Sequence, residues 1–112
     1  MVDTLVGKSC TPCRGGIPPL TPEEAERFHR QVPKWELREE ARQIEHTFRF
    51  KNFGEALSFV QKAGELAKAE GHHPDVFFGW GYAKVALQTN EIKGLHENDF
   101  IMAAKIDQLA TA

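Results

Sequence analysis

Two adjacent histidines followed by a proline form the part of the sequence best suited to chemistry. His72 and His73 precede Pro74, which fixes its own backbone and biases His73 to an extended conformation. An imidazole takes up or releases a proton near neutral pH, so two of them at a pocket mouth can supply an acid and a base. We therefore predict His72 and His73 as catalytic residues. The alternative is that one caps helix carbonyls and the other is exposed.

The histidines do not form a metal-binding pattern. Adjacent residues seldom direct both rings onto one ion, and the other three, His29, His46 and His96, have no motif spacing that would complete a site. Nor does the sequence contain a glycine-rich phosphate loop or a serine nucleophile motif. We predict no metal and no cofactor. His46 lies on the apolar side of its predicted strand, which favours a half-buried structural histidine.

Cys10 and Cys13 lie in a loop-like stretch rich in proline and glycine. A single C-x-x-C can be half of a metal site, a redox pair or two unconnected thiols, and a closed zinc site needs two further ligands. The absence of a functional role is the favoured interpretation, and the others stay open. We predict that residues 1–20 are a flexible segment and that residues 21–112 form the domain.

Length and composition narrow the class of protein. The chain of 112 residues suffices for one modest core, and 41% hydrophobic and 27% charged residues are typical of a globular domain. A net charge of -2 disfavours direct nucleic-acid binding. No apolar run approaches the ~20 residues that span a bilayer, and no secretory signal is evident. We expect no membrane association and a cytoplasmic location.

Three segments are predicted to be helices. Thr21 before Pro22 predicts a helix start, and the helix should extend to about Gln31. Residues from Phe53 to about position 69 have apolar side chains at helical spacing, and Gly71 is placed to end this helix. The last helix has an apolar stripe formed by Met102, Ala103, Ile106, Leu109 and Ala110.

Alternating apolar residues predict two pairs of strands. The alternating sets are Trp35 and Leu37, then Ile44, His46, Phe48 and Phe50, then Val76, Phe78 and Trp80, then Ala83, Val85 and Leu87. Gly79 and Gly81 predict a bend, a bulge or close packing around Trp80. The order α-β-β-α-β-β-α indicates a single α+β domain with a four-stranded antiparallel sheet and helices on one face. Its edge strands favour pairing between subunits, so we expect a homodimer or homotetramer.

The region after the histidines resembles the signature of the pterin-4a-carbinolamine dehydratases. The matching residues are Gly71-His72-His73-Pro74-Asp75, then Trp80, Val85, Leu87, Thr89, Gly94, Leu95, Glu97 and Asp99. The resemblance covers roughly residues 21 to 110 and is densest from 71 to 107. It implies a four-stranded antiparallel sheet with helices on one side, assembled into dimers or tetramers.

The resemblance also implies an activity, the dehydration of 4a-hydroxytetrahydropterin to quinonoid dihydropterin without a metal or organic cofactor. His72 and His73 would share the acid and base roles, and the sequence does not assign which is which. For Trp80, the alternative to walling a flat ring is a core or interface aromatic. The substrate-binding residues implied are Gly71, Pro74, Trp80, Gln88, Thr89, Asn90 and Asp99.

Two positions differ from the pattern usual in that family. Asn90 stands where a third histidine is common and cannot titrate, and Lys68 stands where an acid is common, four residues before His72. Glu70 lies about 200° around the helix from that position, so it is not an equivalent substitute. A reduced rate is one consequence. The alternative is a non-catalytic binding or assembly factor with a protein partner, as for the rubisco assembly factors and the transcription cofactor among such proteins.

Overall fold

In the computed structural model, which describes residues 5–10, 18–38 and 41–111, three α-helices alternate with two pairs of β-strands. The helices are α1 (Pro22–His29), α2 (Phe53–Glu70) and α3 (Glu97–Thr111). The strands are β1 (Glu36–Arg38), β2 (Gln43–Arg49), β3 (Asp75–Gly79) and β4 (Tyr82–Leu87). The predicted α+β class and element order are confirmed. None of the helices in these ranges combines the length and apolar character that crossing a bilayer requires.

The ends of the first two helices follow from local side-chain chemistry. Thr21 Oγ1 accepts a hydrogen bond from the Glu24 amide at 3.2 Å, and Glu24 Oε1 accepts one from the Thr21 amide at 2.9 Å. This reciprocal pair satisfies amides that the first turn of α1 leaves free. The Asn52 side chain caps α2 by accepting from the Glu55 amide at 2.8 Å. Helix α2 ends at Gly71, whose φ of 69° is unstrained only for glycine.

The four strands form one antiparallel sheet in the order β1-β2-β4-β3, so β1 and β3 lie at its edges. In the central pair, Ile44 lies opposite Leu87 and Phe48 opposite Ala83. All four are buried beneath the helices, and Phe48 packs on Phe59 of α2 with ring centroids 4.7 Å apart. The core therefore lies between the helices and one face of the sheet.

The other face of the sheet carries charged and polar side chains. Glu45 on β2 pairs with Arg38 on β1 at 3.4 Å and with Lys84 on β4 at 3.6 Å. Phe77 on β3 shares this face, because it lies opposite Lys84, and it is 64% exposed. The prediction that helices cover only one face is confirmed.

The bend predicted near Trp80 is present, and it removes Trp80 from the strand alternation. Strand β3 ends at Gly79 and β4 begins at Tyr82, so Trp80 and Gly81 form the turn between them. Gly81 has a φ of 83°, a backbone conformation that residues with a side chain rarely adopt. Trp80 is consequently 72% exposed at the tip of this hairpin and is not on the inner face with Val76.

The described N-terminal residues, 5–10, pack against α3. Leu5 is 2% exposed and belongs to the core, and its amide donates to Gln31 Oε1 at 3.3 Å. Cys13 lies outside the described residues, so the C-x-x-C pair is not located as a unit. The domain boundary placed at residue 20, with a flexible segment before it, stays a prediction.

Candidate active site

The turn after α2 directs the two adjacent histidines to different sides. The amides of Gly71 and His72 both donate to the Ala67 carbonyl, at 2.9 and 3.2 Å, which closes the end of the helix. After the left-handed residue Gly71, residues 72–74 lie outside any regular element and lead into β3. His72 is 9% exposed, whereas His73 is exposed to solvent. The two imidazoles therefore occupy different environments one residue apart.

His72 is held by a buried carboxylate from another helix. Its Nε2 lies 2.6 Å from Oδ1 of Asp99, which is fully buried in the first turn of α3. The second oxygen of Asp99 accepts from Thr89 Oγ1 at 2.8 Å and from the His96 amide at 3.0 Å. A buried carboxylate requires such partners, and these fix its position. Asp99 therefore orients the His72 ring and leaves its Nδ1 as the nitrogen not bonded to Asp99.

A short loop holds the Thr89 end of this cluster. The Thr89 amide donates to the Gly94 carbonyl at 2.8 Å, and the Gly94 amide donates back at 3.4 Å. Gly94 is tightly enclosed, because a Cβ there would lie 2.6 Å from Pro19 Cβ. His96 Nδ1 accepts from the Asn98 amide at 3.0 Å at the start of α3. The loop between β4 and α3 thus fixes both Thr89 and Asp99.

Two further predicted substrate residues lie together at a cleft. Gln88 Nε2 donates to Asn90 Oδ1 at 2.8 Å. Both residues line a cleft of about 370 Å³ whose other lining residues are Arg42, Gln43 and Lys93. Neither His72 nor His73 lines this cleft. The polar lining suits hydrogen bonding to a polar ring edge.

Trp80 is not brought to the histidines within one chain. It occupies the tip of the β3–β4 hairpin, while His72 and Pro74 precede the opposite end of β3. A strand of this length spans roughly 17 Å. Trp80 is therefore too far from His72 of the same chain to contact a ligand bound there.

No metal site is evident in the parts of the chain that the structure describes. Within them, no group of three histidine, cysteine, aspartate or glutamate side chains lies close enough to hold an ion. His46 packs against the rings of Trp35 and Phe48, at centroid distances of 5.7 and 4.3 Å. It is half-buried and serves the core, as predicted.

Comparison with known proteins gives the family. The family model described as pterin 4 alpha carbinolamine dehydratase matches residues 18–109. The chain belongs to this dehydratase family. A relative from Methylococcus capsulatus, named "Putative pterin-4-alpha-carbinolamine dehydratase", is 63% identical over 107 residues, which cover 96% of this chain and 94% of the relative. A relative of the same name from Aromatoleum aromaticum is 57% identical over 110 residues, 98% of each chain.

Solved structures of the dehydratase fold agree with the architecture. A crystal structure described as transcriptional coactivator/pterin dehydratase from Brucella melitensis has a TM-score of 0.78 and 30% identity, covering 82% of this chain and 98% of that one. A pterin dehydratase-like protein identified as a rubisco assembly factor in the alpha-carboxysome has a TM-score of 0.62 and 22% identity, covering 70% and 92%. The second similarity supports the fold alone.

The contact of Asp99 with His72 in this dehydratase-family chain was not predicted from the sequence. Asp99 and Thr89 were predicted to bind substrate; both are buried, and Asp99 contacts His72 through one oxygen and Thr89 through the other. A signal was present, because Asp99 lies three, four and seven residues before Met102, Ala103 and Ile106, on the apolar stripe of α3. A carboxylate on a buried helix face requires a polar partner, and the partner is His72.

Lys68, which replaces the usual acid of the dehydratase family, pairs with an exposed residue of its own helix. The Lys68 side chain is 75% exposed and pairs with Glu65 at 4.0 Å. Glu70 binds the Cys10 amide at 2.8 Å and Lys105 at 3.3 Å. The carboxylate on His72 therefore comes from α3 and not from α2.

Proposed function

We propose that this protein is a pterin-4a-carbinolamine dehydratase, which removes water from 4a-hydroxytetrahydropterin and forms quinonoid dihydropterin. Family membership supports a lyase of this type. The observation that carries the proposal is the 2.6 Å contact between His72 and the buried Asp99, with the exposed His73 beside it. This arrangement supplies one oriented and one accessible imidazole at the same turn.

The reaction requires two proton transfers and no redox change. The C4a–O bond breaks as an acid protonates the departing hydroxyl, and water leaves. A base removes the proton from N5, whose electron pair forms the new N5=C4a double bond. Imidazoles are suited to both steps near neutral pH. We propose that His72 and His73 share these roles, with Asp99 fixing the ring of His72 and Thr89 fixing Asp99. The chemistry needs neither a metal nor an organic cofactor.

The remaining site residues are proposed to shape the binding site. Gly71 and Pro74 set the turn that carries the histidines. Gln88 and Asn90 offer amide groups at the adjoining end of β4 for the polar edge of the pterin. Trp80 requires a second subunit, and antiparallel pairing of two β3 edges would bring it beside Pro74 of the other copy. We propose a homodimer or homotetramer on this basis.

The activity assay uses freshly generated 4a-hydroxytetrahydropterin and follows its dehydration above the buffer rate. We expect the purified protein to accelerate the reaction and the His72→Ala, His73→Ala double variant to lose about 10²-fold or more of that acceleration. Lys68→Ala, an exposed change on the preceding helix, is the matched control and should retain the wild-type rate. Equal rates for wild type, double variant and buffer would exclude the dehydratase proposal.

A second candidate function is a non-catalytic binding or assembly role with a protein partner. The observation that favours it is Asn90, which lacks a titratable group where the family commonly has histidine. Asn90→His separates the two candidates, since a weakened dehydratase should gain rate from a third imidazole. No gain, together with a wild-type rate equal to buffer and a stoichiometric copurifying protein, would favour the second function.

A further inference from the structure

An N-terminal segment outside the region matched by the family model contacts both helices that carry the candidate site. This N-terminal strap is residues 5–10, whereas the family match begins at residue 18. It lies along α3 and is fixed to the core through Leu5. The Leu5 amide bonds to Gln31, whereas the polar contacts of Lys8 and Cys10 fall within two residues of His72 or Asp99 in the sequence.

The strap reaches α2 at its last residue. The Cys10 amide donates to Glu70 Oε1 at 2.8 Å, and Glu70 lies two residues before His72. Glu70 Oε2 also pairs with Lys105 Nζ on α3 at 3.3 Å. Glu70 therefore joins the strap, the end of α2 and the body of α3 at one carboxylate.

The strap reaches α3 within its first turn. Lys8 Nζ lies 2.5 Å from Oε2 of Glu97, the first residue of α3 and two residues before Asp99. Cys10 Sγ donates to the carbonyl of the neighbouring Asn98 at 3.7 Å. The strap thus holds α3 just before the carboxylate that binds His72.

The charges at this junction agree with a structural role for the strap. The hydrogen bond from the Cys10 amide is the main reason that the Glu70 pKa is lowered, so Glu70 keeps its charge further into acid than an ordinary glutamate does. Burial, followed by the charge of Glu70, raises the pKa of Cys10 to about 12. The thiol consequently stays protonated as a hydrogen-bond donor and is a poor nucleophile.

We propose that the N-terminal strap positions the catalytic histidine, by holding the end of α2 and the start of α3 at the spacing that lets His72 bond to Asp99. These two residues belong to different elements, and a hydrogen bond of 2.6 Å does not survive a shift of one ångström. Glu70 and Lys8 are therefore positioning residues. The effect on turnover rests on the proposed function, whereas the effect on the His72 ring does not.

The test compares Glu70→Ala with Glu70→Gln, which keeps an oxygen to accept from the Cys10 amide. Glu65→Ala, an exposed change on the same helix, is the control. Side-chain ¹⁵N NMR of His72 reports the hydrogen bond at Nε2, and steady-state kinetics separates kcat from KM. We expect Glu70→Ala to shift the His72 signals and lower kcat by about tenfold or more, with a smaller change in KM. Glu70→Gln should recover most of both.

Lys8→Met tests the second anchor and provides an independent readout if Glu70→Ala does not fold. It should shift the His72 ring signals in the same direction by a smaller amount. Unchanged His72 signals and unchanged kcat in folded Glu70→Ala and Lys8→Met would overturn the proposal. Shifted signals in a protein that does not dehydrate the pterin would support the strap and reject the proposed function. The role of the strap and the dehydratase function can therefore be rejected independently of each other.

Discussion

At the scale of single residues, the candidate site depends on one buried carboxylate. Asp99 receives hydrogen bonds from Thr89 and the His96 amide on one oxygen and contacts His72 through the other. Each contact restricts the carboxylate plane, and the plane in turn restricts the imidazole. Among the described residues none holds the exposed His73 in this way, so its ring can adapt to a bound ligand. The pair combines a fixed imidazole with an adaptable one.

Asp99→Asn tests this arrangement while preserving the size of the side chain. An amide that turns its N–H₂ group to Thr89 and the His96 amide faces two donors, and one that turns it to His72 requires Nε2 of the ring to be the accepting nitrogen. We expect a loss of ~1–3 kcal/mol in the free energy of unfolding and a reduced dehydration rate. Urea denaturation and the pterin assay measure the two effects.

Thr89→Val is the companion change, since it removes one donor and leaves the carboxylate in place. A loss of about 1 kcal/mol is expected, smaller than for Asp99→Asn. If Asp99→Asn were as stable and as active as wild type, the role assigned to Asp99 would be wrong.

At the scale of elements, the loop from Thr89 to Gly94 sets the path of the chain from β4 to α3. Gly94→Ala would place a methyl group 2.6 Å from Pro19 Cβ, and the cyclic ring of Pro19 cannot turn aside as a flexible side chain would. We expect a loss of ~1–3 kcal/mol in the free energy of unfolding. Thermal and urea unfolding check the effect.

Gly64→Ala is the control for that substitution, because a Cβ at Gly64 meets nothing within 4 Å. Gly64 lies within α2, where alanine is the better helix former, so this variant should be at least as stable as wild type. Equal stability of the two alanine variants would show that the contact at Pro19 is relieved at no cost.

The half-buried His46 on β2 gives the fold a pH dependence. Burial lowers the pKa of His46 below 6.5, so the unfolded chain binds more protons than the folded chain just below that pH. The free energy of unfolding should therefore fall as the pH drops from 7 through 6.5. Urea denaturation at several pH values should show a smaller fall for His46→Gln than for wild type.

Asp107 on α3 acts in the opposite direction at lower pH. Burial raises its pKa above 3.8, so the folded chain binds the extra proton, and this group favours folding as the pH falls towards that value. The two groups also interact, because the charge of each favours the charged form of the other. An identical pH profile for wild type and His46→Gln between pH 7 and 5.5 would contradict the assignment to His46.

Most of the elements could be predicted because they depend on neighbouring residues. Contacts between residues far apart in the sequence could not. The N-cap of α1 at Thr21 and the end of α2 at Gly71 each depend on a few neighbouring residues. The start of α1 and the end of α2 could therefore be predicted. The bond between His72 and Asp99 joins residues 27 positions apart, and its partner choice depends on how α3 packs. Trp80 was misassigned because alternation alone does not show where a glycine turns the strand.

At the scale of the whole molecule, the sheet presents an open edge and exposed aromatic side chains. Strand β3 lies at the edge of the sheet, with Phe77 exposed on its outer face and Trp80 at the adjoining turn. Exposed aromatic residues beside a free strand edge favour association with another chain. The proposed homo-oligomer accounts for both features.

Light scattering coupled to size exclusion tests the assembly. We expect a mass of two or four times 12.6 kDa for the wild-type protein. Phe77→Glu replaces the exposed aromatic side chain with a charged one and should lower the measured mass towards that of a monomer at micromolar concentration. Glu36→Gln, on the opposite edge strand, is the control and should leave the mass unchanged. A monomeric wild-type protein would rule out the homo-oligomer.

Helix α3 is tied to the rest of the fold by polar bonds near both of its ends. Asp99 meets His72 at 2.6 Å, and Asp107 accepts from Trp35 Nε1 at 2.9 Å. The two carboxylates are about 12 Å apart along the helix axis. The helix cannot roll, or slide by one turn, without breaking at least one of these bonds. Helix α3 therefore has a single docking register. An apolar exchange such as Met102→Leu alters how tightly the helix packs and does not give it a second register.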